Sequence, residues 1–153
     1  MSETIKDQVN ETLKTAMKAQ DKLRVSTLRL INAAVKDRMI QNRGDGKGEV
    51  DDAQVLEILA RMIKQREESV TMYEQAGRAE LAEQERGEIA IIREFMPKPL
   101  SDGEARAAVE AAIAELGAAG LKDMGRVMAV LKERHAGALD MGKAGAIAKE
   151  RLK

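Results

Sequence analysis

Apolar residues recur at three- and four-residue steps along almost the whole chain, the period of helices that bury one face. Ile5, Val9, Thr12/Leu13 and Ala16/Met17 predict a first helix from about Thr4 to Lys18. Asp21 is placed to cap a second, about Lys22 to Asn42. Its inward face is Leu28, Ile31, Val35 and Met39, widened by Leu23 and Leu30. The glycines of Arg43-Gly44-Asp45-Gly46-Lys47-Gly48 predict a flexible turn, because glycine holds helix poorly. Asp51 or Asp52 caps a third helix, about Ala53 to Ala76, with Val55/Leu56, Leu59, Met62/Ile63, Val70 and Tyr73 inward. Gly77 ends it, and a fourth helix from Arg78 to about Phe95 carries Leu81, Ile89, Ile92 and Phe95. No segment alternates with the period of a strand, and no internal repeat occurs.

The two prolines fall together in Phe95-Met96-Pro97-Lys98-Pro99-Leu100-Ser101. They remove two backbone donors and push Met96 and Lys98 out of helical geometry, which predicts a joint. Ser101-Asp102-Gly103-Glu104 has the S-x-x-E form of a capping box and opens a fifth helix with Ala105, Val109, Ala112/Ile113 and Leu116 inward. After the turn Gly117-Ala118-Ala119-Gly120, Asp123 is the expected cap of a sixth helix bearing Met124, Val127/Met128 and Leu131, which stops near Ala136-Gly137. Asp140 caps a last helix to about Leu152, with Ala144, Ile147/Ala148 and Leu152 inward. The expected fold is all-α: a four-helix N-terminal part (1–96), a Pro-x-Pro linker (97–100) and a small three-helix C-terminal subdomain (101–153).

Composition narrows the chemistry. With 26 basic and 26 acidic residues the whole chain is neutral, so global charge names no partner. Residues 98–153 hold 10 Lys+Arg against 8 Asp+Glu, and from Gly117 onward the count is 8 against 4, so the C-terminal end is mildly basic. Tyr73 and Phe95 are the only aromatics, which leaves no platform for stacking single-stranded bases. The absence of cysteine removes disulfides, thiolate nucleophiles and Cys-ligated metals. No apolar signal segment opens the chain, and no stretch reaches the roughly 18 apolar residues of a membrane span, so a cytoplasmic protein without membrane contact is expected.

Candidate catalytic patterns have plain structural explanations, so no catalytic residue, metal or cofactor is assigned. Gly137 to Lys143 fits G-x-x-x-x-G-K, but Ala144 stands where a P-loop needs Ser/Thr, and no strand precedes it. A glycine stop followed by an Asp cap accounts for it. Asp51-Asp52 sit where caps sit, and adjacent helical residues such as Glu67-Glu68 point about 100° apart. His135 stands alone near a helix end, and Ser2, Ser26, Ser69 and Ser101 form no nucleophile pattern. Two basic features remain. Lys22, Arg29, Lys36 and Arg43 recur every seven residues, a spacing that winds slowly around a helix and suits an extended polyanion. The second is Lys122, Arg126, Lys132, Arg134, Lys143, Lys149, Arg151 and Lys153, charge that would position phosphates without reading bases.

Five stretches together resemble the GatB/YqeY family. They are Asp21 to Leu30, then Lys64-Gln65-Arg66-x-x-Ser69-x-x-x-Tyr73-x-x-Ala76-Gly77-Arg78, then Phe95 to Ser101, then Lys122-Asp123-Met124-Gly125-Arg126-Val127-Met128, and Gly137 to Lys143. They cover essentially the whole chain, in order. The family contains free-standing proteins of this length and the C-terminal tail region of the B subunit of Asp/Glu-tRNA amidotransferase. The resemblance implies an all-helical fold and an association with glutamine-dependent carbon-nitrogen ligase activity in translation. In that enzyme the amidase and kinase sites lie outside the tail, which touches tRNA. The expectation for this chain is a non-catalytic, tRNA-interacting accessory module, with nucleic-acid contacts at Lys122, Arg126, Lys132, Arg134, Lys143, Lys149, Arg29 and Lys36. The alternative is a helical module that binds an amidotransferase or an aminoacyl-tRNA synthetase. A third reading, an amide-transfer enzyme in its own right, lacks a nucleophile constellation.

Overall fold

A computed structural model describes residues 3–153 and shows, among them, seven α-helices, one 3-10 turn and no strand. The helices are α1 (Ile5–Lys18), α2 (Lys22–Gly44), α3 (Asp52–Gln75), α4 (Ala79–Arg93), α5 (Asp102–Leu116), α6 (Met124–Arg134) and α7 (Met141–Arg151), with the 3-10 turn Leu121–Asp123 before α6. The all-α expectation holds. The chain forms two compact units, one ending at Met96 and one beginning at Pro97, each with its own core.

Helix ends in the first unit are set by local chemistry. The Thr4 hydroxyl accepts from Asp7 N–H and the Asp7 carboxylate answers to Thr4 N–H, a capping box that starts α1. Gln20 turns the chain at φ 57, a left-handed conformation unusual outside glycine, and Asp21 N–H closes onto the Ala16 carbonyl. Asp21 then caps α2 as expected, through Arg24 N–H. Asp51, not Asp52, caps α3. The Asp52 carboxylate instead accepts from Ile5 N–H at 3.1 Å, so the start of α3 satisfies an orphan donor of α1. Gly77, at φ 73, ends α3 with Arg78 N–H on the Tyr73 carbonyl. The fourth helix accordingly begins at Ala79 rather than Arg78, and it ends at Arg93.

The core of this unit gathers Val9, Leu28, Ile31, Val55, Leu59 and Ile92, with Phe95 at its edge. Two expected inward residues face out: Met17 is 49% exposed and Leu30 46%. Ala16 and Ile31 occupy the buried positions beside them, so each helix face is narrower than its apolar pattern. Val70 and Tyr73 are only half-buried, since they lie on the last turns of α3. A second correction concerns the glycine-rich turn. Here α2 runs on to Gly44 and the Asn42 side chain is buried, its Nδ2 donating to the Gly48 carbonyl (3.3 Å) and to Gln54 Oε1 (2.9 Å). The turn is thereby tied to α3. Asn42→Ala should cost about 1–3 kcal/mol, because it removes two hydrogen bonds from a dry site. A urea midpoint equal to that of the parent protein would disprove this.

The second unit is built from smaller side chains. Ala105, Val109, Ala112, Val127, Leu131, Leu139, Ala144, Ala148 and Leu152 form its core. The Ser101–Glu104 capping box starts α5 as expected, and Asp140 caps α7 through Gly142 and Lys143 N–H. Asp123 does not cap α6. Its carboxylate turns back to accept from Ala119 N–H (3.0 Å) and from Arg126 Nη2 (2.8 Å), closing the loop before α6. Leu100 N–H donates to the Ala138 carbonyl at 2.8 Å, which fastens the residue after Pro99 to the α6–α7 loop.

Candidate nucleic-acid interface

The ion pairs separate used charge from free charge. In the second unit Arg134 grips Glu115 with both terminal nitrogens, Arg151 pairs with Glu110, Lys143 with Asp102 at 3.1 Å and Arg126 with Asp123. These contacts hold the Glu115 and Asp123 carboxyls below their ordinary range: for Glu115 the Arg134 hydrogen bond dominates, for Asp123 the bond from Ala119 N–H. Lys132 is also engaged with a neighbouring group. Of the expected phosphate contacts in this unit, Lys122 and Lys149 are exposed without an ion-pair partner among the described residues. The structure therefore spends Arg126, Arg134 and Lys143 partly on internal pairing, which leaves less net field at their guanidinium and ammonium groups.

Helix α2 is different. It carries six Lys/Arg residues against a single acid, Asp37. Two of the six are structural: Arg24 binds Glu94 at 2.7 and 2.9 Å, and Arg38 lies 3.5 Å from Glu57. The other four are Lys22, Arg29, Lys36 and Arg43, all exposed and without an ion pair among the described residues. The buried residues Thr27, Leu28, Ile31, Val35 and Asn42 lie on the opposite side of the helix. At 1.5 Å per residue the four cations span about 32 Å. Arg29 and Lys36 were expected from the sequence as site residues, and the structure aligns Lys22 and Arg43 with them. The seven-residue spacing already carried that signal. Beside α2, Asp37, Arg38, Ile58 and Arg61 line a groove of mixed charge.

The motifs behind the family resemblance mostly hold the fold. Arg24 ties α2 to the residue after α4, Arg66 lies 3.6 Å from buried Glu88, Gly77 and Gly137 supply left-handed helix ends, and Asp123 holds Arg126. Within Gly137 to Lys143, Gly137 (φ 77) and the Asp140 cap act as helix stop and start, and Lys143 points to Asp102. Asp51 caps α3, Asp52 bonds Ile5 N–H, and Glu67 lies 3.5 Å from Arg93. His135 sits half-buried at the end of α6, its N–H donating to the Leu131 carbonyl. Among the described residues no three His, Cys, Asp or Glu side chains converge as metal ligands, and no helix is long and apolar enough to cross a membrane.

A basic helical surface on an all-α scaffold is the class that fold and charge define. A family model described as Yqey-like protein matches residues 6–152, and the chain belongs to the YqeY family. It is 30% identical over 88 residues to "Altered inheritance of mitochondria protein 41, mitochondrial" of Lachancea thermotolerans, which covers 58% of this chain and 46% of that protein. The protein of the same name from Kluyveromyces lactis is 29% identical over 87 residues, covering 57% of this chain and 45% of the relative. An uncharacterised protein of Schizosaccharomyces pombe is 29% identical over 94 residues, covering 61% and 73%. The chain thus spans about half the length of the first two relatives.

Proposed function

We propose that this YqeY-family protein is a tRNA-interacting accessory module that holds RNA by its phosphates and leaves chemistry to a partner enzyme, an amidotransferase or an aminoacyl-tRNA synthetase. One observation carries the reading: α2 presents four exposed, unpaired cations in a row on a chain of zero net charge. Phosphate contacts of this kind supply affinity and orientation without sequence information. Lys122 and Lys149 add charge from the second unit, with Pro97-Lys98-Pro99 as the linker. Arg134 and Lys143 contribute after their exposed partners are given up, at small cost because such surface pairs are worth about 0–1 kcal/mol, and Arg126 and Lys132 add charge where their partners hold them.

The test is gel retardation of bulk tRNA by the full chain at low salt, with co-purification before and after RNase. Retardation that disappears on raising the salt is expected. Absence of any shift at low salt, together with a protein partner that survives RNase, would replace this reading by the protein-binding module.

A further inference from the structure

The outer face of α2 has a finer pattern than a row of charges. Lys22, Ser26, Arg29, Ala33, Lys36, Ile40 and Arg43 follow one another at alternating steps of four and three, so all seven share one side of the helix. All seven are exposed, and Ile40 is 57% exposed. The cations stand at steps of about 10 Å, separated by a small or apolar side chain. Asp37 flanks the row and is the only acid of the helix.

Resting on the tRNA-interacting reading, we infer that this face binds the double-helical stems of RNA, along the phosphate backbone, rather than loops or single-stranded ends. Three observations lead there. First, the row is rigid over about 32 Å and winds only slowly, about 20° per seven residues, being part of a single unbroken helix whose other side is packed into the core. A rigid row keeps register with a stem, whereas a flexible single strand must be ordered onto it, and stacking is what normally offsets that ordering. Second, the stacking partners are absent from this face: Phe95 is buried and Tyr73 sits half-buried on α3. Third, Ala33 and Ile40 put no polar group between the cations, and the Ser26 hydroxyl is turned to donate to the Leu23 carbonyl. Ala33 and Ile40 are suited to lie against ribose in the wide, shallow groove of a stem.

The 4-3 spacing also fits an acidic partner helix. That arrangement would bury all four cations in the seam, with Ile40 as the only large apolar residue to offset their desolvation. Phosphates leave the cations in water, so the stem is favoured.

The experiment uses the full chain and fluorescence anisotropy with four probes: bulk tRNA, a 16-base-pair RNA hairpin, a single strand of the same composition, and a Glu-rich helical peptide. Two variants are compared, Arg29→Glu with Lys36→Glu on α2, and Lys122→Glu with Lys149→Glu on the second unit. Circular dichroism confirms that both keep their helices. The hairpin should bind regardless of its sequence and weaken by about a hundredfold between 50 and 200 mM salt, the behaviour of about four phosphate contacts. The α2 variant should lose at least tenfold in affinity, and the second-unit variant less than threefold. Binding of tRNA that ignores the α2 charges would overturn the inference and leave the tRNA reading standing. Preference for the single strand, or for the peptide, would overturn it as well. Failure of every RNA probe, tRNA included, removes both.

Discussion

Leu131→Ala unfolds the second unit and leaves the first folded. The second unit is 57 residues long by its bounds, Pro97–Lys153. Four of the nine buried residues of its core are alanines, and Leu131, Leu139 and Leu152 are the only large ones. Leu131 is 1% exposed and sits on α6, which packs on both α5 and α7. Deleting its side chain costs about 2–5 kcal/mol in lost transfer energy and residual cavity. A unit of this size has only about 3–5 kcal/mol in hand. The surface pairs Arg134–Glu115, Arg151–Glu110 and Lys143–Asp102 cannot compensate, being worth about 0–1 kcal/mol each. Hydrogen exchange read residue by residue is the measurement. Amides of α5, α6 and α7 should exchange like an unfolded chain, while those of α2 and α3 keep their protection. Retained protection throughout would mean the unit draws stability from something other than this core.

Arg66→Met destabilises the first unit by about 3 kcal/mol at neutral pH, and by less in mild acid. Arg66 projects from α3 toward α4, with Nε 3.6 Å from Glu88 and 3.9 Å from Glu85, and its Nη1 donates to the Met62 carbonyl. All three side chains are largely buried, and Nε itself has no hydrogen-bond partner. Burial pushes the Glu88 carboxyl above its ordinary value of 4.5; Arg66 pulls it down, and the Glu85 hydrogen bond and charge push it up again. A raised folded value means that ionised Glu88 weakens the fold. The penalty is fully present above that raised value and vanishes as the pH falls below 4.5. Without Arg66 two carboxylates face each other unscreened, so the loss should be larger at pH 7 than at pH 5. Glu88→Gln should cost nothing at pH 7, since it removes the disfavoured charge. Urea unfolding at the two pH values separates the outcomes. An equal loss for Arg66→Met at both would show that packing, not charge, is what Arg66 supplies.

Much of this was legible along the chain because helix faces and caps are local. Val9, Leu28, Leu59 and Val109 declare their burial through three- and four-residue spacing, and Asp21, Ser101 and Asp140 declare their caps through the hydrogen bonds a short polar side chain makes to the next turn. The exposure of Met17 and Leu30 was not legible, since periodicity marks an apolar face but not how much of it neighbours cover. Nor is the role of Asp123 legible from its cap-like position: a 3-10 turn ahead of α6 points its carboxylate back at Ala119. Asn42 gave no signal, because its partners Gly48 and Gln54 lie across a turn whose path the glycines do not dictate.

The sequence by itself determined that this protein is all-helical, where most helices start and stop, and that Lys22, Arg29, Lys36 and Arg43 share one slowly winding line. Those properties depend on steps of one to seven residues, within reach of local geometry. Only the tertiary structure decided which charges are free. Arg24 and Glu94 are 70 residues apart, Lys143 and Asp102 41, and Arg134 and Glu115 19, so no spacing along the chain foretells their pairing. Packing brought those carboxylates to Arg24, Lys143 and Arg134 and left Lys22, Arg29, Lys36 and Arg43 on the outer face of α2 without an ion pair among the described residues.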